Sequence, residues 1–448
     1  MGFLRGSRRK KVMVISIDGT PFTFLQRMMG EGYMPNLSQL TREGDLKEIR
    51  SAYPTVSSVA WSCFMTGQNP ARHGIFGFVD RQPGSMKTYI PTSRHMQSVT
   101  LWEILSDAGR RVIVMNVPVT YPPRQVNGVL VGDFLAPSLD KAAYPPEVSQ
   151  KLKELGYIID IDPWEARQDK AQLLQDVGVA LAARERALFY LMGQGPWDYA
   201  HCHIMETDRL HHFLWEEMEE GDPRYAPGFF DFYRQLDSFL GRVRQRLDRQ
   251  TTLIIMSDHG FCRLRKEVYV NNWLATQGWL KFAAQPPQSL EDMHHDSRAY
   301  CLDPGRIFIN LRGREPAGSV APGEEYEQLR AEIIAAALQL ADPASGERMI
   351  ARAMRKEEIY SGPLLDQAAD IILHPYDGYD LKGALGKAQL TFKGPELVGM
   401  HTYENAALYI SGQEIVGKRP WVADVMPTIL RLMDVPLPAN LDGRVLVR

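Results

Sequence analysis

The sequence predicts an α/β fold, with a mostly parallel central sheet, helices on both faces and a cap or insertion. Short apolar runs, such as residues 12–17 and 253–256, have the composition of strands that are buried on both faces. Segments with helical spacing precede several of these runs, and this alternation is typical of crossover units that join parallel strands. Acidic residues follow both runs closely, at the strand ends where open α/β sheets build their sites.

The elements of the core follow from this pattern in chain order. The first strand covers residues 12–17, and two helices are expected at 23–31 and 37–46. A helix at 57–65 ends before Gly67, because glycine commonly terminates a helix. Three further helices, each directly before an apolar strand, continue the alternation: 102–108 before 112–117, 169–191 before 199–204, and 229–247 before 253–256.

The stretch from 263 to 395 differs from the rest and predicts a cap or insertion that shapes a substrate pocket. It contains segments with proline and glycine, a strand at 306–311 and a helix at 324–341. A strand at 406–410 and a closing helix at 422–433 return to the core. We therefore expect a core formed by 9–262 and 396–448, with the cap at 263–395.

Composition and charge narrow the class of protein. The formal net charge of −3 argues against a dedicated nucleic-acid surface. The basic cluster before residue 12 resembles the start of a signal peptide, but the apolar run after it is too short and stops at Asp18. No apolar stretch reaches transmembrane length, so we expect a cytoplasmic protein without a membrane partner. The cysteines have no CxxC spacing and are expected to be reduced core thiols: Cys63, Cys202, Cys262 and Cys301.

Carboxylates and imidazoles lie close to the ends of three predicted strands. Asp18 follows the first strand, Asp258 and His259 follow the strand at 253–256, and Asp208 lies beyond the strand at 199–204. His212 stands four residues after Asp208, so on a helix both side chains share one face and can hold one ion. Together these side chains suggest one polynuclear metal site. Oxygen and nitrogen ligands without cysteine suit zinc or manganese.

Each feature has a simpler explanation when it is taken alone. Asp208 and His212 could form a surface hydrogen bond, and Asp258 with His259 could cap a turn. His401, a lone histidine late in the chain, is by itself typical of a structural residue. His211 is expected either to form a hydrogen bond with a metal ligand or to be solvated. His294 and His295 are expected to be solvated.

Hydroxyl groups cluster at the start of the helix predicted at 57–65. There, free backbone N–H groups and the positive end of the helix dipole favour an anion. Metal coordination can also ionise a hydroxyl and make it a nucleophile at neutral pH. Thr55, Ser57 and Ser58 are the candidates, and the simpler explanation for any one of them is a helix N-cap.

Taken in order, these motifs resemble the alkaline phosphatase superfamily, in particular its branch of type I phosphodiesterases and nucleotide pyrophosphatases. The resemblance runs from about Lys11 to the C-terminus and matches the insertion only loosely. It implies an alkaline-phosphatase-like three-layer sandwich. The motifs that carry it are Ile17-Asp18-Gly19, the Ser57 segment with its continuation from Met65 to Ile75, the Asp208 and His212 pair, Asp258-His259-Gly260, and His401.

The resemblance also implies roles for these residues around two divalent metal ions, zinc or alternatively manganese. One ion would be held by Asp208, His212 and His401. The other would be held by Asp18, Asp258 and His259, with the hydroxyl of Ser57 on it. Ser57 takes the nucleophile position because it stands nine residues before Thr66, as the family's Thr or Ser does, and Ser58 remains an alternative. Hydrolysis would then proceed through a phosphoseryl intermediate.

The substrate implied is a small phosphate ester, with a diester favoured and nucleotide or phosphonate esters included. Nucleotide-cleaving relatives place an Asn where this chain has Ala60, which weakens a strict nucleotide pyrophosphatase assignment. The Cys-x-Pro-x-Arg sequence of sulfatases is missing. Two alternatives stay open: a phosphomonoesterase, for which Lys393 could supply positive charge, and a relative that binds a phosphorylated ligand without turnover.

Overall fold

The computed structural model describes residues 9–284 and 286–448, so part of the basic N-terminal cluster lies outside the described residues. Its strands, in chain order, are β1 (Lys11–Ile17), β2 (Gly44–Ile49), β3 (Asp80–Arg81), β4 (Thr88–Tyr89), β5 (Val112–Met115), β6 (Gly128–Val131), β7 (Ala143–Tyr144), β8 (Tyr199–Ile204), β9 (Thr251–Met256), β10 (Gly260–Arg263), β11 (Lys266–Tyr269), β12 (Ala299–Leu302), β13 (Arg306–Ile309), β14 (Ile350–Arg355), β15 (Ile371–Pro375), β16 (Tyr379–Lys382), β17 (Thr391–Phe392), β18 (Gly399–Thr402) and β19 (Ala406–Ser411).

The α-helices of the described residues alternate with the core strands as the sequence predicts. In chain order they are α1 (Phe22–Gly30), α2 (Pro35–Leu40), α3 (Ser57–Thr66), α4 (Pro70–His73), α5 (Leu101–Asp107), α6 (Val148–Glu154), α7 (Pro163–Gln168), α8 (Lys170–Gly193), α9 (Glu206–Glu220), α10 (Ala226–Arg246), α11 (Val270–Thr276), α12 (Glu324–Ala337), α13 (Lys356–Ile359) and α14 (Val425–Leu432). Single 3-10 turns lie at Ser93–His95, Leu139–Lys141, Leu290–Asp292, Leu365–Gln367 and Val422–Asp424.

The central sheet has eight strands in the order β2-β19-β9-β1-β8-β5-β6-β7. The five strands from β9 to β6 in this order are mutually parallel, and β19 and β7 run antiparallel to their neighbours. Helices lie on both faces of this sheet. The predicted mostly parallel α/β fold is therefore confirmed.

Both faces of the sheet are buried, which explains why its strands are wholly apolar. Along β1, Met13 and Ile15 belong to one hydrophobic core, and Val12 and Val14 belong to the other. The first core contains residues of α1, α2 and α8 to α10, and the second contains residues of α3, α5 and α14. Because successive side chains of a strand point to opposite faces, one apolar run supplies both cores.

One predicted core element is wrong. The sequence predicts a helix at 37–46, but α2 ends at Leu40 and residues Gly44–Ile49 form the edge strand β2. The reason is a long-range contact, because β2 pairs antiparallel with β19 along its whole length. A side chain at Gly44 would lie 2.3 Å from the carbonyl oxygen of Ile410, so this close pairing requires glycine.

The 263–395 stretch builds its own sheets beside the core. Four strands pair in the order β12-β13-β15-β14 and three in the order β16-β11-β17. A separate hydrophobic cluster forms from this stretch and also includes Ala71 and Phe76 of the preceding region. Helix α12 ends at Ala337, four residues before the predicted end. The division into core and cap remains our proposal.

None of the helices in the described part of the chain combines the length and the apolar composition of a membrane-spanning segment. The four cysteines are free thiols; Cys262 is partly buried and the other three are buried. The prediction of reduced thiols agrees with these free cysteines. The cytoplasmic location remains a prediction.

Candidate active site

The topology explains why residues from distant parts of the chain meet. Strands β9, β1 and β8 are adjacent and parallel, so their carboxyl ends lie side by side. Asp18 directly follows β1, and Asp258 follows Ser257 at the end of β9. Asp208 lies in the first turn of α9, which begins after β8. This is the edge at which open α/β sheets bind ligands.

The first cluster consists of Asp18, Asp258 and His259, and all three side chains are at most 1% exposed. His259 Nε2 lies 3.4 Å from Asp18 Oδ1 and 3.4 Å from Asp258 Oδ2. The backbone N–H of Gly19 donates to Asp258 Oδ1 at 3.2 Å. Two carboxylates and an imidazole thus converge in a buried space, an arrangement that requires a compensating positive charge.

The second cluster consists of Asp208, His212 and His401. His401 Nε2 lies 3.1 Å from Asp208 Oδ1 and 3.0 Å from His212 Nε2. His401 reaches this position because β18 pairs antiparallel with β10, the strand that begins immediately after His259. The six expected ligand residues are therefore brought together in two groups of three.

The histidine tautomers follow from the hydrogen bonds of the outer nitrogens. His212 Nδ1 donates to the carbonyl of Gly399 at 3.1 Å, and His259 Nδ1 donates to the carbonyl of Gly260 at 2.9 Å. Because the Nδ1 atoms are used in this way, the Nε2 atoms of both rings are the ones that face the clusters. This orientation is typical of histidine ligands in metal sites.

Burial and the mutual repulsion of neighbouring carboxylates shift the pKa values of the residues in the two clusters. Burial, together with the charge of Asp18, raises the pKa of Asp258 well above its ordinary value. Burial alone would lower the pKa of His259, but Asp258 and Asp18 outweigh it and raise the pKa to about 10. Burial lowers the pKa of His212 to about 4, against the opposing charge of Asp208. Without another cation, a proton on His259 is the available compensation.

Ser57 is the first residue of α3 and presents its hydroxyl to the first cluster. Its Oγ donates to Asp18 Oδ1 at 3.3 Å and lies 3.2 Å from His259 Nε2. Ser58 turns away, since its Oγ donates to the carbonyl of Gly77 at 2.9 Å. Of the two serines, Ser57 alone contacts the clustered carboxylates and imidazoles.

Two contacts to Asp18 were not foreseen from the sequence. Trp61 Nε1 donates to Asp18 Oδ2 at 3.0 Å, and His203 Nε2 lies 3.1 Å from the same oxygen. His203 is in turn held by Ser16, whose Oγ also contacts His201 at 2.8 Å. The sequence does contain a signal for this support: two histidines, His201 and His203, occupy alternate positions of β8, which is otherwise a buried apolar strand.

The remaining histidines and lysines lie elsewhere. His211 is fully buried, so solvation is wrong for it, and its ring nitrogens contact the carbonyl of Gly19 and the hydroxyl of Tyr233. Lys393 Nζ lies 3.2 Å from Glu216 and donates to the carbonyl of Leu397. His294 and His295 form a separate, more exposed group with Asp296.

A cleft of about 280 Å³, here called the substrate cleft, opens beside the second cluster, and His212 and His401 form part of its wall. Tyr53 and Tyr403 also line the cleft, and their rings stack with centroids 4.0 Å apart. Lys382 also lines the cleft, and its Nζ lies 2.6 Å from Asp380. The cleft therefore combines apolar walls with a neutralised lysine.

Several proteins of known structure share the fold of this chain. Phosphonoacetate hydrolase from Sinorhizobium meliloti, solved with phosphonoacetate, aligns with a TM-score of 0.67 at 16% identity, over 95% of each chain. Murine ectonucleotide pyrophosphatase/phosphodiesterase 5 aligns with a TM-score of 0.56 at 14% identity, over 97% of this chain and 98% of that chain. A search of curated proteins finds no match.

At these identities the solved structures establish the fold alone, and the family assignment comes from the sequence itself. The family model described as type I phosphodiesterase/nucleotide pyrophosphatase matches residues 12–404. That span includes every residue of the two clusters and Ser57. The chain belongs to the type I phosphodiesterase/nucleotide pyrophosphatase family, a group of phosphoester hydrolases within the alkaline phosphatase superfamily.

Proposed function

We propose that this protein is a two-metal phosphodiesterase that hydrolyses small phosphate diesters through a phosphoseryl intermediate on Ser57. The observation that carries the proposal is the position of the Ser57 hydroxyl, within 3.3 Å of both Asp18 and His259 at the start of α3. A hydroxyl in such surroundings can be ionised, and a helix start favours the phosphate that it attacks.

The residues present fit two divalent cations. Asp258 Oδ2 is buried and has no hydrogen-bond partner among the described residues, and the Nε2 atoms of His212 and His401 are 3.0 Å apart. Cations would satisfy these atoms and the buried carboxylates. The proposed ligand sets are Asp208, His212 and His401 for one ion, and Asp18, Asp258, His259 and the Ser57 hydroxyl for the other.

The donor set suits zinc, with manganese as the alternative, because carboxylate oxygens and imidazoles bind both. When bound, two such ions supply Lewis-acid stabilisation of phosphoryl oxygens and lower the pKa of a coordinated hydroxyl. The ions do not determine the substrate, so its choice depends on the side chains around them.

The chain itself positions the reacting groups. Ser57 Oγ attacks phosphorus, its proton leaves to the surrounding carboxylate and imidazole groups, and the alcohol or phenol of the ester departs. Water then attacks the phosphoserine, which releases phosphate monoester and restores the hydroxyl. Backbone N–H groups at the start of α3 would face the phosphate, and Trp61 donates a hydrogen bond to Asp18 beside Ser57.

A diester monoanion suits this site better than a monoester dianion. Lys393 is occupied by Glu216, and Lys382, which lines the cleft, is paired with Asp380. Val59 and Ala60 next to the nucleophile carry no charge. A phosphomonoesterase on the same site is the alternative, and it would need Lys382 to exchange Asp380 for the substrate.

The 263–395 cap contributes to substrate choice in this proposal, because Asp303, Asp380 and Lys382 of the cap line the substrate cleft together with His401. The function is tested with matched aryl monoesters, diesters, phosphonates and sulfate esters, each with Zn²⁺ or Mn²⁺. We expect diesters to have the highest kcat/KM. A monoester preference of tenfold or more, about 1.4 kcal/mol in transition-state stabilisation, would reject the diesterase proposal.

A further inference from the structure

A second cavity of about 520 Å³ shares Tyr53 and Tyr403 with the substrate cleft. We call it the arginine pocket, because three arginines line it: Arg50, Arg352 and Arg419. Arg50 follows β2 and Arg419 precedes the closing helix, whereas Arg352 lies on β14 of the cap. The pocket therefore lies where core and cap meet.

The positive charges of this pocket are almost uncompensated. Among the described residues, neither Arg50 nor Arg352 lies within 4.0 Å of a carboxylate, and Arg419 has one contact, at 3.5 Å, with the exposed Glu404. Glu358 is the single acidic side chain among those that line the pocket. Three guanidinium groups with so little neutralisation favour an anionic ligand.

The charges of the three arginines act on one side chain of the pocket. Burial raises the pKa of the Tyr403 hydroxyl, and the charges of Arg50, Arg419 and Arg352 all oppose that rise. All three arginines line the same cavity as Tyr403. Arg50 is further fixed because its Nη2 donates to the carbonyl of Arg419 at 2.7 Å.

Unsatisfied polar groups line the same pocket. Ser51 is fully buried, and its Oγ has no hydrogen-bond partner in the part of the chain that the structure describes. Arg50 Nε is likewise buried without a partner among the described residues. Buried polar atoms are rarely left in this state, and a ligand with several acceptor oxygens would satisfy donors of this kind.

The walls of the pocket are already held in place by hydrogen bonds. The Ser51 N–H donates to the carbonyl of Tyr403 at 2.8 Å, which fixes the core side. The Tyr360 hydroxyl donates to the carbonyl of Tyr53 at 2.8 Å and ties the cap to the core. A ligand would therefore find the pocket preformed, which lowers the cost of ordering it.

We propose that the arginine pocket is a phosphate-binding site, separate from the metal clusters, for a phosphomonoester or pyrophosphate group. The planar guanidinium fork matches phosphate oxygens in pairs, which a single lysine cannot do. Tyr53 and Tyr403 line both cavities, so the bound group is the terminal phosphate of a substrate or a free phosphate. The first of these sources rests on the proposed function.

Binding of inorganic pyrophosphate to the full chain, measured by calorimetry with and without chelator, tests the site. Arg352 is exposed, so Arg352→Gln removes a charge without opening the core. We expect this variant to bind pyrophosphate at least tenfold more weakly, both with and without chelator. Arg224→Gln is the matched control, because Arg224 is 73% exposed and pairs with Asp222 outside the pocket. Equal affinity of Arg352→Gln and the wild type overturns the proposal.

Should Arg352→Gln fail to fold by circular dichroism, Arg419→Gln takes its place with the same expected loss. If the chelator abolishes pyrophosphate binding and neither arginine variant changes it, the binding belongs to the metal clusters. This result also overturns the proposal. The measurement needs no turnover, so it stands even where the proposed function fails.

Kinetic measurements distinguish whether the pocket binds the terminal phosphate of a substrate or a free phosphate. Two aryl phosphodiesters that differ only in a terminal phosphomonoester are compared in the wild type and in Arg352→Gln. A loss of tenfold or more in kcat/KM confined to the phosphate-bearing ester assigns the site to the substrate. Weaker pyrophosphate binding with an unchanged ratio between the two esters assigns it to free phosphate. Absence of turnover with either ester would reject the proposed function and leave the binding result intact.

Discussion

The imidazole rings of His259 and His401 stack with their centroids 3.7 Å apart and an interplanar angle of 23°. His259 belongs to the first cluster and His401 to the second, so this contact joins the two groups of ligands. The pairing of β10 with β18 produces it, since Phe261 and His401 are register partners. One short antiparallel ribbon thus completes the site at the end of the parallel sheet.

The first prediction concerns the nucleophile. Ser57→Ala is expected to lower kcat by several orders of magnitude, because the hydroxyl that forms the intermediate is lost. Ser58→Ala is the matched control: its hydroxyl bonds to the Gly77 carbonyl, so we expect a stability loss of about 1 kcal/mol with turnover retained. Acid quenching with a labelled diester should trap phosphoserine at residue 57. Turnover lost in Ser58→Ala and kept in Ser57→Ala would move the nucleophile by one residue.

The second prediction concerns metal content. Elemental analysis of the purified protein should find about two divalent ions per chain. Asp208→Ala should reduce this to about one, because that carboxylate contacts both His401 and His212. His295→Ala is the control, since His295 is 74% exposed in the separate histidine group. Full metal content in Asp208→Ala would contradict the assignment of the second cluster.

The third prediction concerns the support of Asp18. His203→Gln should weaken binding of one metal ion by about 10- to 100-fold, because His203 Nε2 lies 3.1 Å from Asp18 Oδ2 behind the proposed ligand. Competition with a chelator measures this affinity directly. His201→Gln, one step further from Asp18 through Ser16, should have a smaller effect. Identical metal affinity in His203→Gln and the wild type would show that Trp61 alone positions Asp18.

The fourth prediction concerns acid stability. Burial lowers the pKa of His73 from 6.5 to about 3, and its Nδ1 accepts the N–H of Ile75 at 3.2 Å, which requires the neutral ring. Because the folded pKa lies below the unfolded one, this stabilisation is complete above about pH 6.5 and decreases as the pH falls toward 3. The free energy of unfolding should be smaller by about 2 kcal/mol at pH 5 than at pH 7.5 from this residue.

Urea titrations at the two pH values measure this difference. In His73→Gln the difference should shrink by about 2 kcal/mol, although the variant is less stable at both pH values. The exposed His295→Gln serves as the control and should keep the wild-type difference. A pH dependence in His73→Gln equal to that of the wild type would exclude His73 as a source of acid instability.

The sequence alone determined the fold class, the family and the residue types of the site. Apolar runs ending near Asp18 and Asp258 already indicate parallel strands with polar side chains at their carboxyl ends, because burial on both faces leaves no other composition. Local spacing also placed Asp208 and His212 on one helical face. These features depend on short-range rules, so they are visible without coordinates.

Only the tertiary structure decided what depends on contacts between distant segments. The strand at Gly44–Ile49 forms because β19 offers it a partner, against its local helical spacing. His203 lies beside Asp18 because β8 is next to β1, and Arg50 and Arg352 line one pocket because the cap folds against the core. Contacts of this kind produce no local pattern in the sequence, because they depend on how distant segments pack in the whole molecule.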